Sequence, residues 1–157
     1  MKTRTEAIAI ARTWLGTPYV LRGHIKGAGC DCGTLLAEYL IEINATTREK
    51  LGALGLYSDD WFCNTKDERY LRQMLRFCTL AADIICRPGA QALPGDLVLF
   101  RVVGSPVCNH GAIVTAWPRG IHAQYDGVRE VDLTSHGLTA YRQMKVFNPF
   151  EVRNAGI

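Results

Sequence analysis

Gly29-Cys30-Asp31-Cys32-Gly33-Thr34-Leu35-Leu36 is the stretch on which the reading of this chain turns, because a loop of small residues passes there into an apolar-periodic run. Asp31 is a good N-cap, and Leu35, Leu36, Tyr39, Leu40 and Ile43 recur at helical spacing. The pattern predicts a helix ending near Asn44 with Cys32 in its first turn. A thiol at that place faces unpaired backbone N–H groups and the positive end of the helix dipole, and both favour thiolate over thiol. Two readings stand at this point: Cys32 is an activated nucleophile, or it is a small buried hydrophobe at a helix entrance, the ordinary role of a free cysteine.

On the N-terminal side of this stretch, Thr3-x-x-Glu6 forms a capping box, and Ala7, Ile8, Ala11, Trp14 and Leu15 make one apolar face, predicting a helix from Thr3 to Leu15 that Gly16 stops. Thr17-Pro18-Tyr19 then runs extended, and the glycines at 23, 27 and 29 make an open loop leading to Cys32. On the C-terminal side, residues 45–66 read as connecting structure with turn signals such as Ser58-Asp59-Asp60. Asp67 caps a third predicted helix, Glu68 to Thr79, with Leu71, Met74, Leu75 and Cys78 facing inward. Arg87-Pro88-Gly89 is a turn, and from Leu93 the texture becomes β: Asp96 to Val103, Gly111 to Trp117, Gly120 to Gln124, Val128 to Leu133 and Met144 to Val152. Asp126-Gly127 marks a tight hairpin among them. Helices first and a meandering antiparallel sheet second define an α+β fold rather than a doubly wound parallel one.

A chain of 157 residues, 48% hydrophobic and 21% charged, can bury a core of its own and reads as one soluble domain spanning residues 1–157. The N-terminal residues carry no continuous apolar h-region, so no Sec-type signal peptide is expected, and no run is long enough for a transmembrane segment. Six cysteines (30, 32, 63, 78, 86 and 108) in a chain of this size without an export signal are expected to be reduced thiols. The net charge of +3 is scattered, which argues against nucleic acid as the main partner.

Chemistry that begins at a thiolate needs a general base, and the candidates are His24, His110, His122 and His136. His110 opens a predicted strand, where its side chain can reach over a helix N-terminus packed on the sheet. His122 lies in the next strand, across the turn at Pro118-Arg119-Gly120. Neighbouring strands run about 4.8 Å apart, so one imidazole can hydrogen-bond the other. That supplies a nucleophile, a base and an orienting group in the order Cys32, His110, His122.

Gly16-Thr17-Pro18-Tyr19, the Gly29-to-Gly33 turn, Pro94-Gly95-Asp96-Leu97-Val98-Leu99-Phe100, Asn109-His110-Gly111-Ala112-Ile113-Val114 and Ile121-His122-Ala123 resemble, in order, the motif blocks of the NlpC-type cysteine peptidases that cut bacterial cell-wall peptides. The likeness covers nearly the whole chain. It looks closest to the single-domain, phage-encoded branch, in which the Gly-Cys-Asp-Cys turn and a segment like Leu56 to Trp61 are familiar. The resemblance implies a papain-like α+β fold with the nucleophile at a helix N-terminus packed on a C-terminal antiparallel sheet. It implies Cys32 as nucleophile, His110 as base and His122 as orienting residue, with Tyr19, Asp31 and Gly33 on the substrate side. It implies peptidoglycan stem peptides as substrate, the D-glutamyl–diamino acid bond as target, and no cofactor. It also implies phage tail proteins as partners, with a chain made in the cytoplasm, associated with a virion tail and acting on the bacterial wall. Two departures touch the substrate side. Many members carry serine after the nucleophile where this chain has Gly33, and Val20-Leu21-Arg22-Gly23-His24 replaces an aromatic-and-glycine loop.

Three other readings compete. Cys30, Cys32, Cys108 and His110 could surround zinc, but Cys-x-Cys and Cys-x-His are tighter than the two-to-four-residue gaps of common structural sites. A non-catalytic phage tail component could keep the fold, although all three catalytic residue types are retained. An amidase or acyltransferase on a non-wall substrate could use the same three residues.

Overall fold

The computed structural model describes residues 1–55, 57–102 and 104–151. Leu56, at the head of the Leu56-to-Trp61 segment, and Val103 and Val152, at the ends of two predicted strands, lie outside the described residues. The helices are α1 (Arg4–Arg12), α2 (Cys32–Glu42), α3 (Arg48–Leu51) and α4 (Arg69–Phe77). A two-stranded ribbon, β1 (His24–Ile25) with β2 (Gly29–Cys30), precedes α2 and gives the expected open loop a paired stem. The main sheet consists of β3 (Thr79–Ile85), β4 (Leu97–Phe100), β5 (His110–Ala116), β6 (Arg119–Gln124), β7 (Gly127–Asp132) and β8 (Gln143–Asn148). Its order is β3-β8-β4-β5-β6-β7, and every neighbouring pair is antiparallel. The α+β expectation is met.

Both faces of the sheet are covered. Leu97, Leu99, Ile113, Ile121 and Phe147 pack with Ala7, Ala11 and Trp14 of the N-terminal segment and with Leu35, Leu36, Tyr39 and Leu40 of α2. Val98, Phe100, Ala112, Val114, Met144 and Val146 form a second cluster with Cys86, Ala90 and Leu133. A strand buried on both faces has no reason to alternate polar and apolar residues, which is why Leu97-Val98-Leu99-Phe100 reads as an unbroken apolar run. Residues 34–40 of α2 are all buried. Fully burying a leucine stabilises by roughly 1.5–3 kcal/mol, so the three leucines there fix the helix axis and with it the position of Cys32.

Four expectations are corrected. The first helix ends at Arg12, so Leu15 leaves the apolar face and is exposed. Asp67 does not cap the third helix; Glu68 occupies the N-cap position without a side-chain capping bond, its carboxylate engaged elsewhere. That helix stops at Phe77, and Thr79–Ile85 turns into edge strand β3, paired with β8 in residues that lie some sixty positions later in sequence. The β6–β7 hairpin has Tyr125 and Asp126 as its two loop residues, with Gly127, at φ 98°, already paired with Gln124.

Candidate active site

The site is assembled where the first turn of α2 meets the mouth of β5. Asp31 is the N-cap of α2: its Oδ1 accepts from the Thr34 N–H at 2.8 Å, and the Thr34 hydroxyl oxygen in turn accepts from the Asp31 N–H at 2.9 Å. The same carboxylate accepts, at Oδ2, the Arg22 N–H at 2.8 Å and the Tyr57 hydroxyl at 2.5 Å. Asp31 is therefore buried with both oxygens occupied by the chain. One residue on, Cys32 is partly exposed, and its sulfur lies 3.8 Å from the Asn109 carbonyl oxygen. Polar hydrogens on Gly111 N, on its own backbone N and on the Tyr70 hydroxyl lie near the sulfur.

These donors favour a thiolate, yet two larger effects oppose it. Burial and the adjacent Asp31 carboxylate push the Cys32 thiol up to about 12. The expectation of a thiolate at the helix N-terminus thus meets a countercharge, because the group that caps the helix is an anion beside the sulfur. At neutral pH Cys32 is a thiol.

His110, at the start of β5, is buried at 5% exposure, and His122 on β6 at 1%. The register that sets Ile113 against Ile121 places His122 diagonal to His110 on the same side of the sheet, and the His110 Nε2 to His122 Nδ1 distance is 2.9 Å. Burial, followed by repulsion from the neighbouring rings, lowers the His110 pKa to about 3; burial and His136 lower that of His122 to about 4. Both imidazoles are neutral at pH 7. A third ring continues the row: His136 stands edge-on to His122, 4.8 Å between centroids, with its Nδ1 accepting the Leu138 N–H at 3.2 Å.

Cys32 and His110 open on one cleft of about 430 Å³, a size suited to a small ligand or a short peptide segment. Tyr19, half-buried and packed on Tyr125 at 5.0 Å, forms part of one wall. Tyr57, Trp61, Arg69 and Tyr70 come from the segment leading into α4 and from its first turn. Burial, with Cys32 and Asp31 nearby, drives the phenol pKa values of Tyr19, Tyr57 and Tyr70 up, so all three remain neutral donors. Gly33 also lines the cleft; a Cβ there would sit 3.4 Å from Asp31 Oδ1 and 3.8 Å from the Tyr70 hydroxyl, so a side chain at this position would enter the site.

Superposition on solved structures places this architecture. The NlpC/p60 domain of the peptidoglycan hydrolase SagA matches with a TM-score of 0.57 at 21% identity, over 92% of this chain and 97% of that one. The fold is that of an NlpC/p60 domain. NlpC1 from Trichomonas vaginalis matches with a TM-score of 0.56 at 17% identity, over 89% of this chain and 42% of that protein. An NlpC/P60 family protein from Bacillus cereus ATCC 10987 gives 0.58 at 19%, over 91% and 39%. The chain thus spans less than half of those two longer proteins. No protein-family model and no curated protein sequence matches the chain.

On this fold the structure brings Cys32, His110, Tyr19, Asp31 and Gly33 to one cleft, with His122 directly behind His110. Cys30 and Cys108 are buried beside it, their thiols pushed up by burial to about 12 and about 11. Among the described residues no three His, Cys, Asp or Glu side chains are arranged to hold a metal ion. His24 is distant in role, at the surface in β1 near Glu38. Sequence reasoning missed Tyr57, Tyr70 and Tyr125, and named His136 only as one of four candidate bases; each enters through a tertiary contact, and only the aromatic run around Trp61 hinted at such a wall.

Proposed function

We propose that this chain is a cysteine peptidase of the NlpC type that hydrolyses amide bonds in peptidoglycan stem peptides, at the bond between D-glutamate and the following diamino acid. The observation that carries the reading is the 2.9 Å contact between His110 Nε2 and His122 Nδ1 beside a cysteine at a helix N-terminus. The contact commits Nε2, leaving Nδ1 of His110 for the thiol. In the neutral tautomer Nε2–H donates to His122 and Nδ1 is a free acceptor, the form a general base requires. As the thiol attacks the amide carbonyl its proton passes to His110 Nδ1, and the imidazolium formed donates a charge-assisted bond to His122. The oxyanion is held by backbone N–H groups near Cys32, and His110 then protonates the leaving amine. Water, deprotonated by His110, resolves the thioester.

The bond assignment and delivery in a phage tail rest on the sequence resemblance to the phage-encoded branch. On the substrate side, Asp31 is occupied, so a substrate amine reaches its carboxylate only by displacing the Tyr57 hydroxyl. Without a hydroxyl at Gly33 the grip on a free N-terminal alanine is weaker, which favours stem peptides still attached to wall fragments. The test is mass spectrometry of purified sacculi and of the free tripeptide after incubation with the protein, alongside Cys32→Ala and His110→Ala. Soluble fragments cut at the D-glutamyl bond, absent with both variants, support the reading. Turnover of some other acyl substrate with sacculi left intact would move the site to a different amidase or acyltransferase.

A further inference from the structure

Tyr70, on the first turn of α4, brings its hydroxyl onto the first turn of α2. Its Oη donates to the Cys32 carbonyl at 2.8 Å, which holds the hydroxyl on the residue that carries the thiol. The space around it is kept open by glycine: a Cβ on Gly111 would approach Oη to 3.1 Å, closer than most real contacts, besides meeting Leu36 at 2.6 Å. The placement of α4 is fixed from the same quarter. Glu68, two residues before Tyr70, accepts Arg101 at 2.5 Å and the Cys108 N–H at 2.9 Å, and Cys108 is two residues before His110. One carboxylate thereby references both the tyrosine and the base to each other.

We propose that Tyr70 is a further catalytic residue whose hydroxyl donates to the Cys32 sulfur during attack. This rests on the reading of Cys32 as nucleophile. As the Sγ proton moves to His110 Nδ1, Tyr70 keeps its own proton and shifts its hydrogen bond from the Cys32 carbonyl to the forming thiolate. The carbonyl is not stranded, since in helical register it also accepts the Leu36 N–H. The donor stays protonated throughout, because burial and the nearby Cys32 and Asp31 hold its pKa well above the ordinary phenol value. Such a donor matters because burial and the Asp31 anion beside the sulfur both disfavour the thiolate.

The test uses Tyr70→Phe, which keeps the ring, and reads the rate at which iodoacetamide alkylates Cys32 at fixed pH between about 7 and 9, mapped by peptide mass. Below the thiol midpoint this rate follows the thiolate fraction. Loss of a charge-assisted bond slows it about tenfold or more, with kcat on sacculi falling by a similar factor and KM unchanged. 3-Fluorotyrosine at position 70, a stronger donor of nearly the same size, speeds alkylation and gives a second reading if the phenylalanine variant fails to fold. A hydroxyl that merely covers the thiol gives the opposite sign: its removal leaves alkylation unchanged or faster, and that result overturns the proposal. Turnover of sacculi by Cys32→Ala at the unmodified rate overturns the nucleophile reading itself, a separable failure.

Discussion

Replacing His122 tests whether the histidine pair works as a unit. The His110 Nε2 to His122 Nδ1 bond is 2.9 Å long, and His122 is 1% exposed, so no water stands ready to take its place. In His122→Ala the His110 ring keeps a buried N–H with no acceptor, which costs about 1–3 kcal/mol, rising in the imidazolium state where the lost bond is charge-assisted. Only the difference between the neutral and the protonated ring affects the rate. That difference, about 1–1.5 kcal/mol, corresponds to a kcat lower by roughly fivefold to tenfold. His122→Gln supplies an amide oxygen that can accept the same N–H, and is expected within about twofold of the unmodified rate. Release of soluble fragments from sacculi, quantified by chromatography at saturating substrate, measures both. A His122→Ala enzyme with unchanged kcat, or a glutamine variant as impaired as the alanine one at equal Tm, would refute the orienting role.

Other expectations follow from the same geometry. His110 and His122 titrate near 3 and 4 when folded, below the usual histidine value, so the unfolded chain binds more protons and stability falls as pH drops from about 6.5 toward 4. Near pH 5 unfolding takes up close to two protons, about 3 kcal/mol of stability lost per pH unit, which urea denaturation across that window measures; a flat profile contradicts buried neutral rings. Gly111→Ala drives a methyl to within 2.6 Å of the Leu36 side chain, and a Tm drop equivalent to about 1–3 kcal/mol is expected together with slower Cys32 alkylation. Cys30→Ser, altering a buried thiol before the helix cap, retains most activity; loss of activity there with Cys32→Ala intact would exchange the roles of the two cysteines.

Much of the fold was legible because its signals are local. Asp31 and Thr34 cap α2 by contacts three residues apart, and β5, β6 and β7 follow one another through two-residue turns. Thr79–Ile85 was not legible: it is an edge strand whose partner is the last strand of the sheet, and it continues directly from a helix whose period runs into it. The cap of α4 failed for a similar reason, since Glu68 serves Arg101 and Cys108 rather than its own helix. In the site, Cys32, His110 and His122 could be named from motif spacing, but Tyr57 and Tyr70 arrive by tertiary contact, as does the placement of His136 behind His122. The electrostatics of Cys32 are only half legible on the same ground: dipole and amides are local, whereas desolvation is set by what packs over the sulfur.

The aperture of the cleft and its floor belong to different parts of the chain. Cys32 is anchored by a helix buried along most of its length, and the two histidines by adjacent strands of the central sheet, whereas Tyr57, Trp61 and Arg69 stand on a stretch of turns and the exposed start of a short helix. Residues 57–67 are therefore a cassette: exchanging them for other aromatic and charged combinations reshapes which molecules enter while the core beneath keeps its packing. For protein engineering this makes the segment a natural place to randomise when a different ligand is wanted, with the Glu68 clamp and Tyr70 as the boundary at which randomisation should stop.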